Sequence, residues 1–136
     1  MTRTVLLVDD EPNIILSLEF LIEQAGYEAR VARDGEAALK AIEDHKPDLV
    51  LLDVMLPKRD GFDVCQTIRA NPDWNDVRIV MLTAKGRDSE REKGLALGAD
   101  AYITKPFSTR DAMEQIKRFL DDEEQGGEES GKDPPA

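Results

Sequence analysis

Short apolar runs alternate along the chain with segments in which apolar residues recur at helical spacing. The run at residues 5–8 and the stronger one at residues 48–55 are typical of strands buried on both faces of a sheet. Weaker or shorter runs at residues 28–32, 77–82 and 101–104 are consistent with three more strands. The pattern therefore predicts five strands.

Helical periodicity follows each of these runs. Pro12 stands where a first helix can begin, and Gly26 stands where it can end. Asp34 is suited to cap a second helix, which must stop before Pro47. Ser108 is suited to cap the last helix. Apolar spacing indicates three more helices. The third contains Phe62, Cys65 and Ile68, and the fourth covers residues 88–97. The inner face of the fifth consists of Met113, Ile116, Phe119 and Leu120.

Strict alternation of strands and helices predicts a parallel sheet covered by helices on both faces, joined by right-handed crossovers. A length of 136 residues suits one domain. We therefore expect a single doubly wound α/β domain over residues 1–122. Residues 121–136 hold seven acidic residues, one lysine and no large apolar residue, so residues 123–136 are predicted to form a disordered acidic tail.

Composition excludes several classes of protein. The chain has 18 basic and 29 acidic residues, a net charge of −11, which argues against direct binding of nucleic acid. Its longest apolar runs are too short to insert into a membrane. A single cysteine, Cys65, excludes an internal disulfide framework. We expect a soluble cytoplasmic protein.

Polar residues follow four of the five predicted strands. In open α/β sheets, ligands bind beyond the carboxyl ends of the strands, so these residues are candidates for one site. They are Asp9, Asp10 and Glu11 after the first strand, Asp53 in the third, Thr83 after the fourth, and Lys105 and Pro106 after the fifth.

These residue types suit phosphoryl chemistry. Several carboxylates at one edge repel one another unless a cation neutralises them, and oxygen ligands suit Mg²⁺. An ammonium at Lys105 and a hydroxyl at Thr83 are the groups needed to hold the oxygens of a phosphoryl group. A carboxylate among them can act as a nucleophile. Individually, the Asp9-Asp10 pair could be a helix cap and Lys105 a solvated loop residue, but their joint occurrence at separate strand ends favours a site.

Five motifs give the chain a family resemblance over residues 4–120. It resembles the receiver domains of two-component response regulators, which implies a flavodoxin-like sheet of order 2-1-3-4-5. The motifs are Val-Asp-Asp-Glu at 8–11, Leu-Leu-Asp-Val-Met-Leu-Pro at 51–57, Asp-Gly-Phe at 60–62, Met-Leu-Thr-Ala at 81–84 and Gly-Ala-Asp-Ala-Tyr-Ile-Thr-Lys-Pro-Phe at 98–107.

The resemblance implies a role for each residue of the site. Asp53 matches the aspartate that accepts the phosphoryl group, and Thr83 and Lys105 match the hydroxyl and lysine that contact it. Tyr102 matches the aromatic residue that turns inward when the hydroxyl moves. The Mg²⁺ ligands of the family match Asp9, Asp10, Asp53 and the Met55 backbone carbonyl. A peptide bond that is usually cis in the family matches Lys105-Pro106.

The implied function is a phosphorylation-dependent signalling switch. A sensor histidine kinase would phosphorylate Asp53 with the help of Mg²⁺, and slow self-catalysed hydrolysis would end the signal. Such a chain catalyses only its own modification and is not a turnover enzyme on external substrates. Its effector would be a protein that binds the face formed by the fourth helix, fifth strand and fifth helix, roughly residues 88–120.

Some residues depart from the receivers that dimerise through that face. Ala101 replaces the second of two acids, and Gln115 stands where a partnering arginine is common, although Arg91 and Asp111 retain opposite charges. We therefore expect a monomer or a weak homodimer. No output module follows residue 120, so a stand-alone receiver is expected. Lys85 lies where side chains influence water access to the phosphoryl group.

Two other functions compete with the switch. A receiver-like fold could bind partners constitutively. Replacement of Asp53 or Lys105 would have favoured that interpretation, but both residues are present. An aspartyl phosphohydrolase would place its nucleophile after the first strand with a second Asp two residues on, whereas Asp9 is followed by Asp10 and Glu11. The switch is the preferred hypothesis.

Overall fold

A computed structural model describes residues 2–84 and 88–124, with side chains as far as residue 121. Five strands form one sheet in the order β2-β1-β3-β4-β5, and all neighbouring strands are parallel. The predicted doubly wound fold and its strand order are thus confirmed. The strands are β1 (Thr4–Val8), β2 (Glu28–Ala32), β3 (Leu49–Asp53), β4 (Arg78–Ala84) and β5 (Ala101–Lys105).

Five α-helices connect and follow the strands, and their ends agree with the predicted caps. The Asp34 carboxylate accepts a hydrogen bond from the Ala37 N–H at 2.7 Å, and the Ser108 hydroxyl accepts one from the Asp111 N–H at 3.0 Å. Gly26 follows the first helix with a φ of +96°, which favours glycine. The helices are α1 (Pro12–Gln24), α2 (Gly35–Asp44), α3 (Gly61–Ala70), α4 (Asp88–Ala96) and α5 (Thr109–Glu124), with a short 3₁₀ helix at Pro72–Trp74.

The core has two layers, one on each face of the sheet. Successive residues of a strand point to opposite faces, so Leu7 packs on one side and Leu6 on the other. Helices α1 and α5 cover the first face, and α2 and α3 contribute to the second. On α5, the predicted inner residues are buried, except that Phe119 is half-buried. Burial on both faces explains why the strand sequences are continuously apolar.

Helix α4 is attached to the sheet differently from the other helices. Its one buried residue is Gly94, and a Cβ added there would lie 3.3 Å from Met81 Cγ. On its flanks, Arg91 covers the ring of Tyr102, and Lys93 Nζ lies 4.5 Å from the centroid of the Phe62 ring. Cation–ring contacts and one close backbone approach therefore hold α4 in place.

The central strand is shorter than the predicted residues 48–55. The Met55 N–H donates to the side chain of Asp53 instead of to a neighbouring strand, and the Val54 carbonyl accepts from the Gly61 N–H. The sheet ladder therefore ends at Asp53, and the chain turns toward α3. This turn places the Asp53 carboxyl at the edge of the sheet.

Helix α5 reaches Glu124, two residues beyond the predicted domain boundary at residue 122. The rest of the predicted tail, residues 125–136, lies outside the described residues, as does Lys85. Within the described part of the chain, no helix has the length and apolar composition needed to cross a membrane. Cys65 is buried in the layer under α3, and burial raises the pKa of its thiol to about 11.

Candidate functional site

Three carboxylates meet at the carboxyl edge of the sheet. Asp9 follows β1 and Asp53 ends β3, and these two strands are neighbours. One oxygen each from Asp9, Asp10 and Asp53 lies within 4.8 Å of the others. Asp9 and Asp53 are buried, whereas Asp10 is exposed. The structure therefore brings together the three acidic side chains that the sequence marks as metal ligands.

Lys105 ends β5 and reaches across to these acids. Its Nζ lies 3.1 Å from Asp53 Oδ2, 3.2 Å from Asp9 Oδ2 and 3.2 Å from Glu11 Oε1. The contacts with Asp53 and Glu11 are hydrogen bonds, whereas the contact with Asp9 has the distance of an ion pair only. The peptide bond between Lys105 and Pro106 is cis.

The buried carboxyl of Asp53 holds its proton more tightly than an exposed aspartate. Burial and the nearby charge of Asp9 raise its pKa to about 6, although Lys105 lowers it. Burial alone would lower the pKa of Lys105, but the charges of Asp53 and Asp9 outweigh this effect and raise it. At neutral pH, Asp53 is therefore ionised and Lys105 protonated.

Two buried oxygens of this region have no hydrogen-bond partner among the described residues: Asp9 Oδ2 and Thr83 Oγ1. Thr83 lies on β4, one residue after Leu82, which is the register partner of Asp53. Buried polar atoms are almost always paired in folded proteins. Asp9 Oδ2 lies at ion-pair distance from Lys105 but accepts no hydrogen bond from the described residues, and the Thr83 hydroxyl has no partner among them. Both atoms fit a site that takes a cation and an anion from solution.

The carboxylates suit a small hard cation. Mg²⁺ prefers oxygen ligands and is commonly held by a few carboxylates together with backbone carbonyls, water and phosphate. The close oxygens of Asp9, Asp10 and Asp53 meet this requirement, and a cation at Asp9 Oδ2 would displace no hydrogen bond with the described residues. Met55 lies two residues after Asp53, with its side chain exposed and its N–H bonded to the Asp53 carboxylate at 3.2 Å.

Tyr102 lies three residues before Lys105 on β5. It is half-buried, and the guanidinium carbon of Arg91 lies 4.4 Å from the centroid of its ring. The ring also packs against the apolar layer under α2 and α3. The structure thus places the predicted switch residue between the sheet and α4.

Glu11 is a residue of the site to which sequence reasoning assigned no role. Its carboxylate bonds to Lys105, and both side chains line a cavity of about 480 Å³ between α1 and the loop after β5. Ile14, Leu18 and Phe107 form apolar parts of the wall. The sequence shows Glu11 as the third acid of the run after β1. It does not show that Glu11 pairs with Lys105, because that contact depends on the position of β5.

The chain matches an established protein family along most of its length. The sequence model of the response regulator receiver domain matches residues 5–117. The chain therefore belongs to the response regulator receiver family and is a receiver domain of two-component signalling, as the sequence resemblance predicted.

Individual relatives show how close the likeness is. The alkaline phosphatase synthesis transcriptional regulatory protein PhoP of Bacillus subtilis (strain 168) is 47% identical over 120 residues, which are 88% of this chain and 49% of PhoP. The chain thus spans about half the length of this curated relative.

Two solved structures share the fold. The chemotaxis response regulator CheY4 of Vibrio cholerae is 28% identical with a TM-score of 0.82, over 88% of this chain and 99% of that one. The receiver domain of the sensor histidine kinase PA1611 from Pseudomonas aeruginosa PAO1 is 30% identical with a TM-score of 0.79, over 88% and 98% of the two chains. That structure has a magnesium ion coordinated in its active site cleft.

Proposed function

We propose that Asp53 accepts a phosphoryl group from the phosphohistidine of a sensor histidine kinase, in the presence of Mg²⁺, and that the modified domain acts through a protein partner. One observation carries this proposal. The buried Asp53 carboxylate lies 3.1 Å from the Lys105 ammonium and shares the sheet edge with Asp9 and Asp10. This arrangement joins a nucleophile, a fixed cation and a set of metal ligands.

The transfer step needs an ionised carboxylate. An Asp53 oxygen attacks phosphorus and forms an O–P bond, while the P–N bond breaks and its electron pair goes to the imidazole nitrogen. A pKa of about 6 keeps Asp53 ionised at neutral pH. Mg²⁺, held by Asp9, Asp10, Asp53 and the Met55 carbonyl, would supply positive charge for the phosphoryl oxygens.

Lys105 and Thr83 would hold the phosphoryl group after transfer. Once Asp53 carries phosphate, its oxygen no longer pairs with Lys105 as a carboxylate, so the ammonium is free to pair with a phosphoryl oxygen. The Thr83 hydroxyl has no partner among the described residues and can donate to another. Both contacts favour the phosphorylated arrangement, and such differential contacts are what shift a conformational equilibrium.

The response would then spread to the surface of α4, β5 and α5. Movement of Thr83 would draw the Tyr102 ring inward, away from the Arg91 guanidinium that now covers it. The altered surface is our candidate for the effector interface, on a monomer or a weak homodimer. Hydrolysis of the acyl phosphate would end the response, with the chain catalysing only its own modification.

The test is the mass of the intact protein after incubation with Mg²⁺ and a small acyl phosphate donor, with Asp53→Asn as the control. We expect a gain of one phosphoryl group in the wild-type protein only, and none when the metal is chelated. A gain that persists in Asp53→Asn would place the acceptor elsewhere. A folded wild-type protein that neither gains phosphate nor binds Mg²⁺ would favour the constitutive interaction module.

A further inference from the structure

The segment that connects β3 to α3, residues 54–60, is packed between two helix starts. We call it the β3–α3 loop. It begins directly after Asp53 and carries Met55, whose N–H donates to the Asp53 carboxylate at 3.2 Å. Since the Met55 carbonyl is also a proposed Mg²⁺ ligand, the position of this loop decides the geometry of the site.

Gly35, the first residue of α2, touches this loop directly. The N–H groups at the start of a helix have no partner inside the helix. The Gly35 N–H therefore donates to the Pro57 carbonyl oxygen in the loop, at 3.2 Å. A Cβ built on Gly35 would overlap the Arg59 carbonyl oxygen and lie 2.6 Å from Arg59 Cβ. No side chain fits at Gly35 unless the loop moves.

Gly61 restrains the other end of the loop. Its N–H donates to the Val54 carbonyl at 2.9 Å. A Cβ there would overlap the Asp53 carbonyl oxygen and lie 2.9 Å from Val54 Cα. The loop is thus pinned at both ends by close backbone contacts, one of them with the backbone of the proposed phosphoryl acceptor.

Further contacts leave the loop little freedom between these points. Lys58 has a φ of +69°, and its ammonium lies 3.9 Å from the Asp34 carboxylate, the cap of α2. Arg59 forms two hydrogen bonds of 3.0 Å with the carboxylate of Asp63 on α3. A displacement at Gly35 is therefore passed along the loop backbone toward Met55.

We propose that Gly35 is a positioning residue of the acceptor site, which it reaches through the β3–α3 loop. This inference rests on the proposed function, because it assumes that Met55 and Asp53 hold Mg²⁺. Helix α2 supplies none of the residues assigned to the site, yet its first backbone position sets where the Met55 backbone lies. Misplaced supporting residues typically weaken metal sites by one to two orders of magnitude.

The test compares Mg²⁺ affinity in wild-type protein, Gly35→Ala and Ile42→Val, using NMR titration of backbone amides. Ile42 is buried on the same helix, so Ile42→Val changes the packing of α2 while the backbone contacts of Gly35 with Pro57 and Arg59 stay in place. We expect Gly35→Ala to bind Mg²⁺ about tenfold more weakly. Ile42→Val should bind like the wild type. Equal affinity in Gly35→Ala and the wild type would overturn the inference.

A measurement on the unaltered protein covers the case in which Gly35→Ala does not fold. Coupling between two positions is reciprocal, so Mg²⁺ should shift the amide signal of Gly35. The signal of Gly26, after α1, serves as the control and should stay in place. An unmoved Gly35 signal during saturation would overturn the inference and leave the proposed function intact, whereas a wild-type protein without Mg²⁺ binding would overturn both.

Discussion

The guanidinium carbon of Arg91 lies 4.4 Å from the centroid of the Tyr102 ring, so that a residue of α4 covers the proposed switch residue of β5. A cation over an aromatic face contributes about 0.5–1 kcal/mol at exposed sites. Since the proposed response moves this ring inward, the contact stabilises the resting arrangement.

Replacing Arg91 by Met removes the charge and keeps an unbranched side chain. We expect Arg91→Met to increase the population with Tyr102 turned inward about two- to fivefold in the unphosphorylated protein. This factor corresponds to the loss of about 0.5–1 kcal/mol of cation–ring stabilisation. Fluorotyrosine NMR suits the measurement, because the chain has two tyrosines and Tyr27 serves as the internal reference. Arg110→Met, at an exposed position of α5, is the control. An unchanged Tyr102 signal in Arg91→Met would contradict the expectation.

Lys105→Ala should separate phosphorylation from the conformational response. We expect Asp53 to remain phosphorylatable to some degree, because the metal ligands are intact, while the fluorotyrosine signal of Tyr102 no longer responds. The pKa of Asp53 should also rise further, since Lys105 lowers it. Lys46→Ala, which removes an exposed lysine paired with Asp76, is the matched control. Wild-type switching in Lys105→Ala would refute the role given to Lys105.

Asp53→Asn should stabilise the metal-free protein in a pH-dependent manner. The folded-state pKa of Asp53, about 6, exceeds the ordinary value of 3.8. The folded state therefore holds the proton more tightly, and stability is lost as pH rises from about 4 to about 6. The full loss is on the order of 3 kcal/mol, and Asp53→Asn avoids it.

The measurement is denaturant unfolding with a metal chelator present. At pH 7.5, we expect Asp53→Asn to raise the free energy of unfolding by roughly 1–3 kcal/mol, since the raised pKa of Asp53 already includes the opposing effect of Lys105. The gain should be about 1 kcal/mol smaller at pH 5. A gain that grows on acidification would show that the sign of the pKa shift is wrong.

Asp100 directly precedes β5 and contacts both α3 and β4, so its loss should destabilise the fold. Its Oδ2 accepts hydrogen bonds from Arg69 on α3 at 2.9 Å and from the Ile79 N–H on β4 at 2.8 Å. We expect Asp100→Ala to lower the free energy of unfolding by about 1–3 kcal/mol, because buried donors lose their acceptor. Asp76→Ala, at an exposed ion pair, should cost less than about 1 kcal/mol. Equal losses in the two variants would contradict this ranking.

Removing residues 125–136 should leave phosphorylation of Asp53 unchanged. The removed segment carries three acids and one lysine, and no residue of it belongs to the proposed site. Intact mass after incubation with the acyl phosphate donor compares the shortened chain with the full one. A large loss of phosphorylation would show that the tail takes part in the reaction.

Much of the fold could be predicted because its physical causes are local. Strands buried on both faces need continuous apolar runs, and helix ends need residues such as Asp34 and Ser108. The cluster of Asp9, Asp53 and Lys105 also followed from the sequence, since parallel strands bring their carboxyl ends to one edge. Their roles in phosphoryl transfer stay predictions until the mass measurement is made.

The remaining contacts depend on distances that the sequence does not contain. Glu11 bonds to Lys105 across 94 positions because β5 ends opposite the loop after β1. Gly35 contacts Arg59 because the start of α2 packs directly against the β3–α3 loop. Neither contact leaves a periodic pattern, and both residue types are common at surfaces and turns. Such pairings become visible only when the backbone has been placed.

The attachment of α4 through Gly94 has a consequence for local opening. Each buried side chain adds to the free energy that a helix must give up before it detaches, and α1 buries Ile15, Leu18 and Ile22. Helix α4 buries a glycine in their place. Amide hydrogens of α4 should therefore exchange with solvent through brief local detachment of the helix. Those of α1 should exchange only when the whole domain unfolds. Of these two helices, the one that costs less to detach is therefore the one that covers Tyr102.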